Sequence, residues 1–228
     1  MTQPTLAAPV RHGSSSFRTL LLATIVSLGG VTLAHGQGYV GASISGDIAR
    51  TGSASGGLNP GSGEALSFSL RAGAPMTSRV GVEFEFARPS IIERDQTPDV
   101  LPLDAALASD LAALGIPITR YTVHSEQRNT TMNVALTAAQ AISPRLSVVY
   151  VGGVTFGRIE RTIRYSFTPA PIFPLPDAKG VSYDTGPLVG VDVRLGLTDH
   201  VQVVPGIRLM GIANGWLVRP AVGLAWRF

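Results

Sequence analysis

The chain has 228 residues, with 18 basic and 15 acidic side chains and no cysteine. Charged residues make up only 14% of it, against ~25% in an ordinary soluble domain, and 26 glycines and 16 prolines argue against a long helical bundle. The lack of cysteine excludes a thiolate metal site, a disulfide scaffold and cysteine catalysis. Nucleic acid is not an expected partner, because the basic residues form no cluster and Lys179 is the only lysine.

The N-terminus has the pattern of a secretory signal peptide. Residues 1–18 are polar and carry only positive charge, residues 19–33 are apolar, and small residues follow at Ala34 and Gly36. The apolar run is shorter than the ~20 residues that a spanning helix needs, and an uncleaved membrane anchor is the alternative. We therefore predict a signal peptide over 1–36, cleaved after Gly36 or after Ala34, and a mature domain over 37–228.

From Gln37 onward, apolar and polar residues alternate with the period of two that is typical of strands with one apolar face. Five runs are clear and three are weaker, which predicts an all-β domain of eight strands. The clear runs lie at 66–71, 80–87, 132–139, 189–196 and 222–228, and the weaker ones at 38–49, 146–157 and 201–211.

The connections between these strands alternate in length. Tight segments lie near Pro75–Ser78, Ile142–Arg145 and Thr198–His200, and longer ones near 50–63, 89–119 and 160–181, with a brief one at 212–216. Short turns at one rim and long loops at the other are typical of a bacterial outer-membrane barrel. The predicted fold is an eight-stranded antiparallel up-and-down transmembrane β-barrel with short periplasmic turns and long outer loops.

Charge distinguishes a membrane barrel from a soluble one, because lipid must contact the apolar face whereas water contacts the charged face. The polar face combines five acids and five arginines with small residues, which suits a narrow, paired interior. A soluble barrel with an apolar core is the alternative. The predicted interior charges are Asp47, Glu83, Glu85, Asp184, Asp192, Arg71, Arg194, Arg208, Arg219 and Arg227.

An eight-stranded barrel is only wide enough for side chains to fill it. We therefore expect these charges to form a paired plug, with a gated ion or proton path as the alternative. Pro187, Pro205 and Pro220 lie inside predicted strands, where each removes a ladder donor, so bulges or shifted strand boundaries are expected there. Aromatic residues near strand ends suit interfacial girdles, namely Tyr39, Phe86, Tyr121, Tyr150, Tyr183 and Trp226.

Three segments carry a resemblance to a known family: GYVGASISGD at 38–47, LTDHVQVVPGIRL at 197–209 and VGLAWRF at 222–228. They are similar to the first, seventh and last strands of the small outer-membrane barrels of the OmpA/OmpX and opacity-protein type. The seventh departs from that family in having Ile207-Arg208-Leu209 where an aromatic pair is frequent. No peptidoglycan-binding domain follows the barrel, so a role in tethering the cell wall is not expected.

The resemblance implies a location in the outer membrane of a Gram-negative bacterium. It also implies contact with outer-membrane lipid and lipopolysaccharide. The final aromatic, Phe228, serves in that family as a signal for the outer-membrane assembly machinery.

Two outer loops offer candidate contact surfaces. The segment 100–116, VLPLDAALASDLAALGI, has leucine and alanine at helical spacing and Asp104 as a candidate cap. It predicts a short helix that lids the barrel mouth, binds a hydrophobic ligand or contacts a partner. The segment 167–180 is rich in proline, which predicts a stiff, extended loop that exposes Ile172, Phe173 and Leu175 to host or envelope proteins.

His124, Ser125 and Glu126 supply the residue types of a hydrolase triad. Adjacent strand residues point to opposite faces, so His124 and Ser125 cannot easily meet, and the histidine-x-serine spacing of lipid A deacylases is absent. No His/Asp/Glu cluster has metal-ligand spacing, and Gly56-Gly57 lies in a Ser/Gly-rich loop rather than in a phosphate-binding motif. We predict no catalytic, cofactor-binding or metal-binding residues, and no cofactor.

The favoured function is that of a non-enzymatic outer-membrane barrel with a structural or surface-interaction role through its extracellular loops. Transport of a small molecule or ion by a gated or lateral route is the alternative, and a lipid A-modifying enzyme comes third. A general diffusion porin is not expected, because those barrels have about 16–18 strands.

Overall fold

The computed structural model of the protein describes residues 38–50, 63–89, 91–96, 120–168, 177–212 and 215–228. The predicted signal peptide, the predicted helix at 100–116 and the residues Ile172, Phe173 and Leu175 lie outside the described residues. No helix within the described ranges is long and apolar enough to cross a membrane.

The described residues form nine β-strands. They are β1 (Tyr39–Arg50), β2 (Gly63–Pro75), β3 (Val80–Pro89), β4 (Ile92–Gln96), β5 (Arg120–Ser143), β6 (Leu146–Thr168), β7 (Ala178–Gly196), β8 (Val201–Ile212) and β9 (Gly215–Arg227).

The nine strands make a closed barrel of eight positions. All pairings are antiparallel, and β1 pairs with both β2 and β9, which closes the sheet. β3 and β4 lie end to end beside β5, so together they occupy one position in the wall. The predicted eight-stranded antiparallel barrel is confirmed, and so are the three tight periplasmic turns. β4 was not predicted, since it lies within the segment 89–119 that we expected to be loop.

Threonine closes two of these turns in the same way. The Thr77 hydroxyl oxygen accepts a hydrogen bond of 3.0 Å from the Val80 amide, and the Thr198 hydroxyl oxygen accepts one of 3.0 Å from the Val201 amide. Because these side chains satisfy backbone donors locally, each reversal needs few residues.

Three strands extend well beyond the apolar band. β5, β6 and β7 have 24, 23 and 19 residues. The longest of them, β5, rises about 60 Å along the barrel axis if each residue adds ~3.4 Å and the strand is tilted by ~35–45°. The apolar band of such a barrel is only ~25 Å tall. We call the projecting part of β4, β5, β6 and β7 (92–96, 120–129, 158–168 and 178–184) the outer sheet.

The prediction of a loop over 160–181 is wrong for residues 160–168 and 178–181, because these residues form strands of the outer sheet. Beyond the lipid, outward side chains meet water. The outward positions of β6 are apolar in the membrane, but farther out they hold Arg158, Glu160 and Arg164. The alternation of apolar and polar residues that identifies a strand is therefore lost there.

Within the membrane the outward face is apolar and the inward face is polar, as predicted. Ile44, Leu66 and Val222 expose 66%, 69% and 61% of their surface to the surroundings of the barrel. The outward aromatics Phe86, Tyr150 and Trp226 are also exposed, which agrees with the predicted girdles. Tyr183 is exposed as well, but it lies on the outer sheet.

The three strand prolines each lie at a break in one ladder while pairing normally on their other side. Pro205 pairs with Val222 of β9, but no residue pairs join β7 and β8 between Asp192–Gly206 and Leu195–Val203. Pro220 likewise lies at a break in the β1–β9 ladder. Pro187 pairs with Val154 of β6 and lies just beyond the end of the β7–β8 ladder. The missing proline N–H is therefore accommodated by local loss of pairing, and the strand boundaries are not displaced.

Candidate functional site

The lumen contains a cluster of buried charges contributed by six of the strands. Its members, each at least nine-tenths buried, are Asp47, Arg71, Glu83, Glu85, Asp192, Arg208 and Arg219. All seven were predicted interior charges. Of the other three, Arg194 is partly exposed at the edge of this cluster, and Asp184 and Arg227 are half-buried.

Arg208 on β8 is the centre of the cluster. Its guanidinium lies 2.5 Å from Glu83, 3.0 Å from Glu85 and 2.8 Å from Asp192, measured between nitrogen and carboxylate oxygen. Glu83 and Glu85 come from β3 and Asp192 from β7, so a single side chain connects opposite parts of the wall. Each of these charges therefore has a partner of opposite sign, which is one of the conditions under which buried charges are tolerated.

Two further arginines extend the network to the rest of the wall. Arg71 on β2 lies 2.9 Å from Glu85 and 3.1 Å from Asp192. Arg219 on β9 lies 3.3 Å from Glu85, and its other two nitrogens bind the Asp47 carboxylate. Glu85 therefore receives contacts from all three arginines, and Asn133 donates to it as well at 2.8 Å. The result is a charged layer across the lumen.

Tyr39 seals the periplasmic end of this layer. Its hydroxyl donates to Glu83 and accepts a hydrogen bond of 2.9 Å from Arg194, whose guanidinium also lies 4.4 Å from the centre of the Tyr39 ring. The prediction that Tyr39 belongs to an interfacial girdle is wrong, because this side chain turns into the lumen. The side chain of Tyr121 lies outside the described residues.

An apolar layer lies on the outer side of the charged layer. It was missed in the sequence, where the inward face was expected to hold only small and ionised residues. Its large members are Ile92, Ile159, Leu188, Met210, Ile212 and Leu217, all at most 4% exposed. The sequence did contain a signal for this layer, because residues an even number of positions apart on a strand face the same way. The apolar residues at such positions are Leu217, Met210 and Leu188, and the buried charges on the same strands are Arg219, Arg208 and Asp192 respectively.

The candidate triad residues lie on opposite faces of the outer sheet. Ser125 points inward, is 2% exposed and donates to the Arg94 carbonyl oxygen at 3.2 Å. His124 points outward, with Nδ1 2.5 Å from Asp95 and Nε2 3.4 Å from Glu126. The structure thus brings His124 to two acids and not to Ser125. In the described part of the chain, no group of His, Asp and Glu is arranged to hold a metal ion.

His124 forms part of an ion-pair row across three strands. Glu126 also lies 2.7 Å from Arg164 on β6, which is 3.2 Å from Asp177. The hydrogen bond to Asp95 raises the pKa of His124, and the nearby Glu126 acts in the same direction. This row fixes β4 against β5 and β6, so it has a clear structural role in the outer sheet.

Comparison with known proteins identifies the fold of the chain and assigns it to no protein family. No protein-family model matches the sequence, and no curated protein matches it significantly. Among solved structures, the chain is similar to the outer membrane protein OprG from Pseudomonas aeruginosa, with 8% identity, a TM-score of 0.53, and coverage of 85% of this chain and 96% of that one.

Two other solved structures are similar over the same part of the chain. A major outer membrane protein from Thermus thermophilus has 13% identity and a TM-score of 0.51, with 85% and 100% of the two chains covered. Ail, the attachment invasion locus protein of Yersinia pestis, has 11% identity, a TM-score of 0.49, and 85% and 98% coverage. The chain has the fold of the small eight-stranded outer-membrane barrels, and that fold fits an outer-membrane location.

Proposed function

We propose that the protein is a non-enzymatic outer-membrane barrel with a sealed lumen, and that it acts in surface interactions through its outer sheet and loops. The observation that supports this most is the charged layer, in which Arg208, Arg219 and Arg71 are held by four carboxylates across the lumen. A side-chain plug of this kind fills the space that a diffusion channel would need.

Energetics favour a permanently closed layer. Removing one partner of a buried ion pair leaves an uncompensated charge and costs ~3–5 kcal/mol. An opening motion would have to separate Arg208 from Glu83, Glu85 and Asp192 together. The apolar layer lies in series with the charged layer and adds a second barrier to water and ions.

The outer sheet supports the surface role. It extends the wall on one side of the barrel, and its strands are joined in the chain by residues 97–119 and 169–176, which belong to the predicted loops at 89–119 and 160–181. Its outward face carries hydrophilic side chains such as Arg158, Glu160 and Arg164. Strands that extend beyond the lipid and are joined by these two segments are a suitable scaffold for binding macromolecules at the cell surface.

Export and assembly form part of the same proposal. Residues 1–36 are cleaved as a signal peptide after Gly36 or Ala34, and Phe228 is recognised by the outer-membrane assembly machinery. Phe228 is 58% exposed on the lipid side of the last strand, and its amide donates to the Gly38 carbonyl oxygen at 3.0 Å. It is therefore ordered at the barrel seam and accessible.

Adherence of whole cells tests the surface role. Cells that display the full chain should bind immobilised host-matrix or envelope components more strongly than cells lacking it. The combined variant Ile172→Ser, Phe173→Ser, Leu175→Ser should reduce that binding, whereas Asp199→Asn in a periplasmic turn should leave it unchanged. Adherence equal to that of cells without the protein, on every surface, would contradict the proposal.

Lateral transport is the second candidate, because the wall lacks paired residues beside Pro205. The similar break at Pro220 is crossed by the Arg219–Asp47 ion pair. A small hydrophobic molecule leaving the barrel there would cross fewer backbone hydrogen bonds than in the continuously paired parts of the wall. Uptake of such a molecule by cells that display the protein distinguishes this candidate. Uptake that depends on the protein and falls when Pro205 is replaced by Val favours the lateral route over the surface role.

A further inference from the structure

His200, in the turn between β7 and β8, contacts the end of the terminal strand in three ways. Its imidazole is stacked on the Trp226 ring, with the ring centres 5.4 Å apart and the planes inclined by 15°. Its carbonyl oxygen accepts a hydrogen bond of 2.7 Å from the Arg227 amide. Its ring nitrogen Nδ1 lies 3.1 Å from the Arg227 carbonyl oxygen. One residue of a periplasmic turn therefore holds two neighbouring residues of β9.

The ring of His200 takes the place of a backbone donor. His200 and Arg227 lie just beyond the Val201–Trp226 pair, where a regular antiparallel ladder would have the His200 amide donate to the Arg227 carbonyl oxygen. That amide donates instead to the Thr198 hydroxyl oxygen, 3.3 Å away within the turn. Because a carbonyl oxygen only accepts, Nδ1 carries the proton and donates in place of the amide. The side chain thus extends the β8–β9 ladder by one residue pair.

The two edges of β9 differ in when their partners become available. On the β8 edge, both backbone groups of Arg227 are bonded to His200. On the other edge, the Phe228 amide donates to Gly38, and β9 pairs with β1. That pairing joins the first and last strands, so it closes the longest loop and is expected to form after the pairings between strands that are near in sequence. While the barrel is open, the end of β9 is therefore held through the β8 edge.

We propose that His200 positions the C-terminal residues for the outer-membrane assembly machinery while the barrel is still open. The inference rests on the recognition of Phe228 proposed above. With Trp226 and Arg227 bonded to His200, the last residues are extended and the Phe228 side chain is left accessible, as its 58% exposure in the closed barrel shows. A segment that is ordered before it binds loses less conformational entropy on binding, so its recognition is stronger.

The closed barrel depends much less on these contacts. β1 then pairs with the same part of β9, Tyr39 with Arg227 and Val40 with Trp226. His200 and Trp226 are both exposed, so their stacked rings bury little surface. The contribution of His200 is therefore largest before closure, which distinguishes a positioning residue from a residue that only stabilises the finished barrel.

Assembly in cells, compared with refolding in detergent, tests the inference on the full chain. His200→Ala should lower the amount of protein with a heat-dependent gel shift in the outer-membrane fraction by about threefold or more, as expected for the loss of one neutral hydrogen bond. Its refolding yield in detergent should equal that of the wild type. His200→Asn should restore most of the assembly, because its amide nitrogen donates from the position of Nδ1. Asp199→Asn, in the same turn, is the matched control and should assemble normally.

A double variant separates the positioning role from an independent structural one. If His200 acts through the terminal residues, His200→Ala combined with Phe228→Ser should assemble no worse than Phe228→Ser alone. Equal losses of His200→Ala in cells and in detergent, or losses that add in the double variant, would overturn the inference. Normal assembly of His200→Ala beside impaired Phe228→Ser would overturn it as well and leave the recognition of Phe228 standing. Normal assembly of Phe228→Ser would contradict that recognition, and the inference with it.

Discussion

Arg219 on β9 holds the carboxylate of Asp47 on β1 with two hydrogen bonds of 2.7 Å each, at a place where the ladder between these strands is broken. Pairing stops at Ser45–Ala221 and resumes at Ile48–Val218, and Pro220 lies in the gap. The ion pair therefore joins the first and last strands at the point where backbone hydrogen bonds cannot.

Arg219→Ala should destabilise the barrel by about 3–5 kcal/mol, because it leaves Asp47 buried without its partner and weakens the closing seam. Unfolding by urea in lipid vesicles measures the change. Arg50→Ala is the control near the outer end of β1, since it loses only a contact with the Trp216 ring worth about 0.5–1 kcal/mol. Equal losses in the two variants would show that the seam does not depend on Asp47.

The contact of β4 with β5 should weaken as pH rises. The hydrogen bond to Asp95 raises the pKa of His124 above its ordinary value of about 6.5. A raised pKa means that the stabilisation is complete below the unfolded value and is lost as pH rises through the folded value. The exposed location limits the effect to less than about 1 kcal/mol.

Hydrogen exchange at the β4 amides measures this dependence. Exchange should accelerate across the titration of His124, and His124→Gln should remove that step. A step that persists in His124→Gln would assign the dependence to another group.

Two adjacent glycines of β6 should respond differently to the same substitution. A Cβ on Gly153 would lie against the Val134 carbonyl oxygen and 2.6 Å from the Ala135 Cα, both in the backbone of β5. A Cβ on Gly152 would have nothing within 4 Å. Gly153→Ala should cost about 1–3 kcal/mol through overpacking, whereas Gly152→Ala should be neutral or slightly stabilising. Equal unfolding midpoints would contradict the close approach of β5 and β6.

Phe228→Ser should lower the amount of protein assembled in the outer membrane while leaving refolding into detergent intact. The reason is that the Phe228 side chain is exposed at the seam, and that within the described ranges its backbone makes a single hydrogen bond, to Gly38. Fractionation of cells and refolding yield in detergent measure the two effects separately. Equal losses in both would assign Phe228 a role in stability rather than in recognition.

The membrane-spanning part of the barrel was predictable because lipid and lumen impose opposite polarity on alternate residues. Glu83 and Glu85 alternate with Val82, Phe84 and Phe86, and this contrast identifies both the strand and its faces. The outer sheet was less predictable, since Arg158 and Arg161 lie on opposite faces of β6 and are both charged. Where both faces are polar, periodicity carries little information.

The interior was predictable in its charges and less so in its other residues. Tyr39 has the sequence context of a girdle aromatic, and only its contact with Glu83 and Arg194 places it inside. Leu188 and Met210 are apolar residues in the parity of the lumen. Their parity with Asp192 and Arg208 indicates that they face inward, but which residues of neighbouring strands join them in one layer depends on strand pairing and required the structure.

The sealed lumen is tested most directly by recording conductance across a planar lipid bilayer that contains the full-length folded protein. We expect no stable open-channel steps, because the charged layer around Arg208 and the apolar layer around Met210 both fill the barrel. Regular conductance steps from the wild-type protein, absent in protein-free bilayers, would contradict the sealed barrel and favour transport.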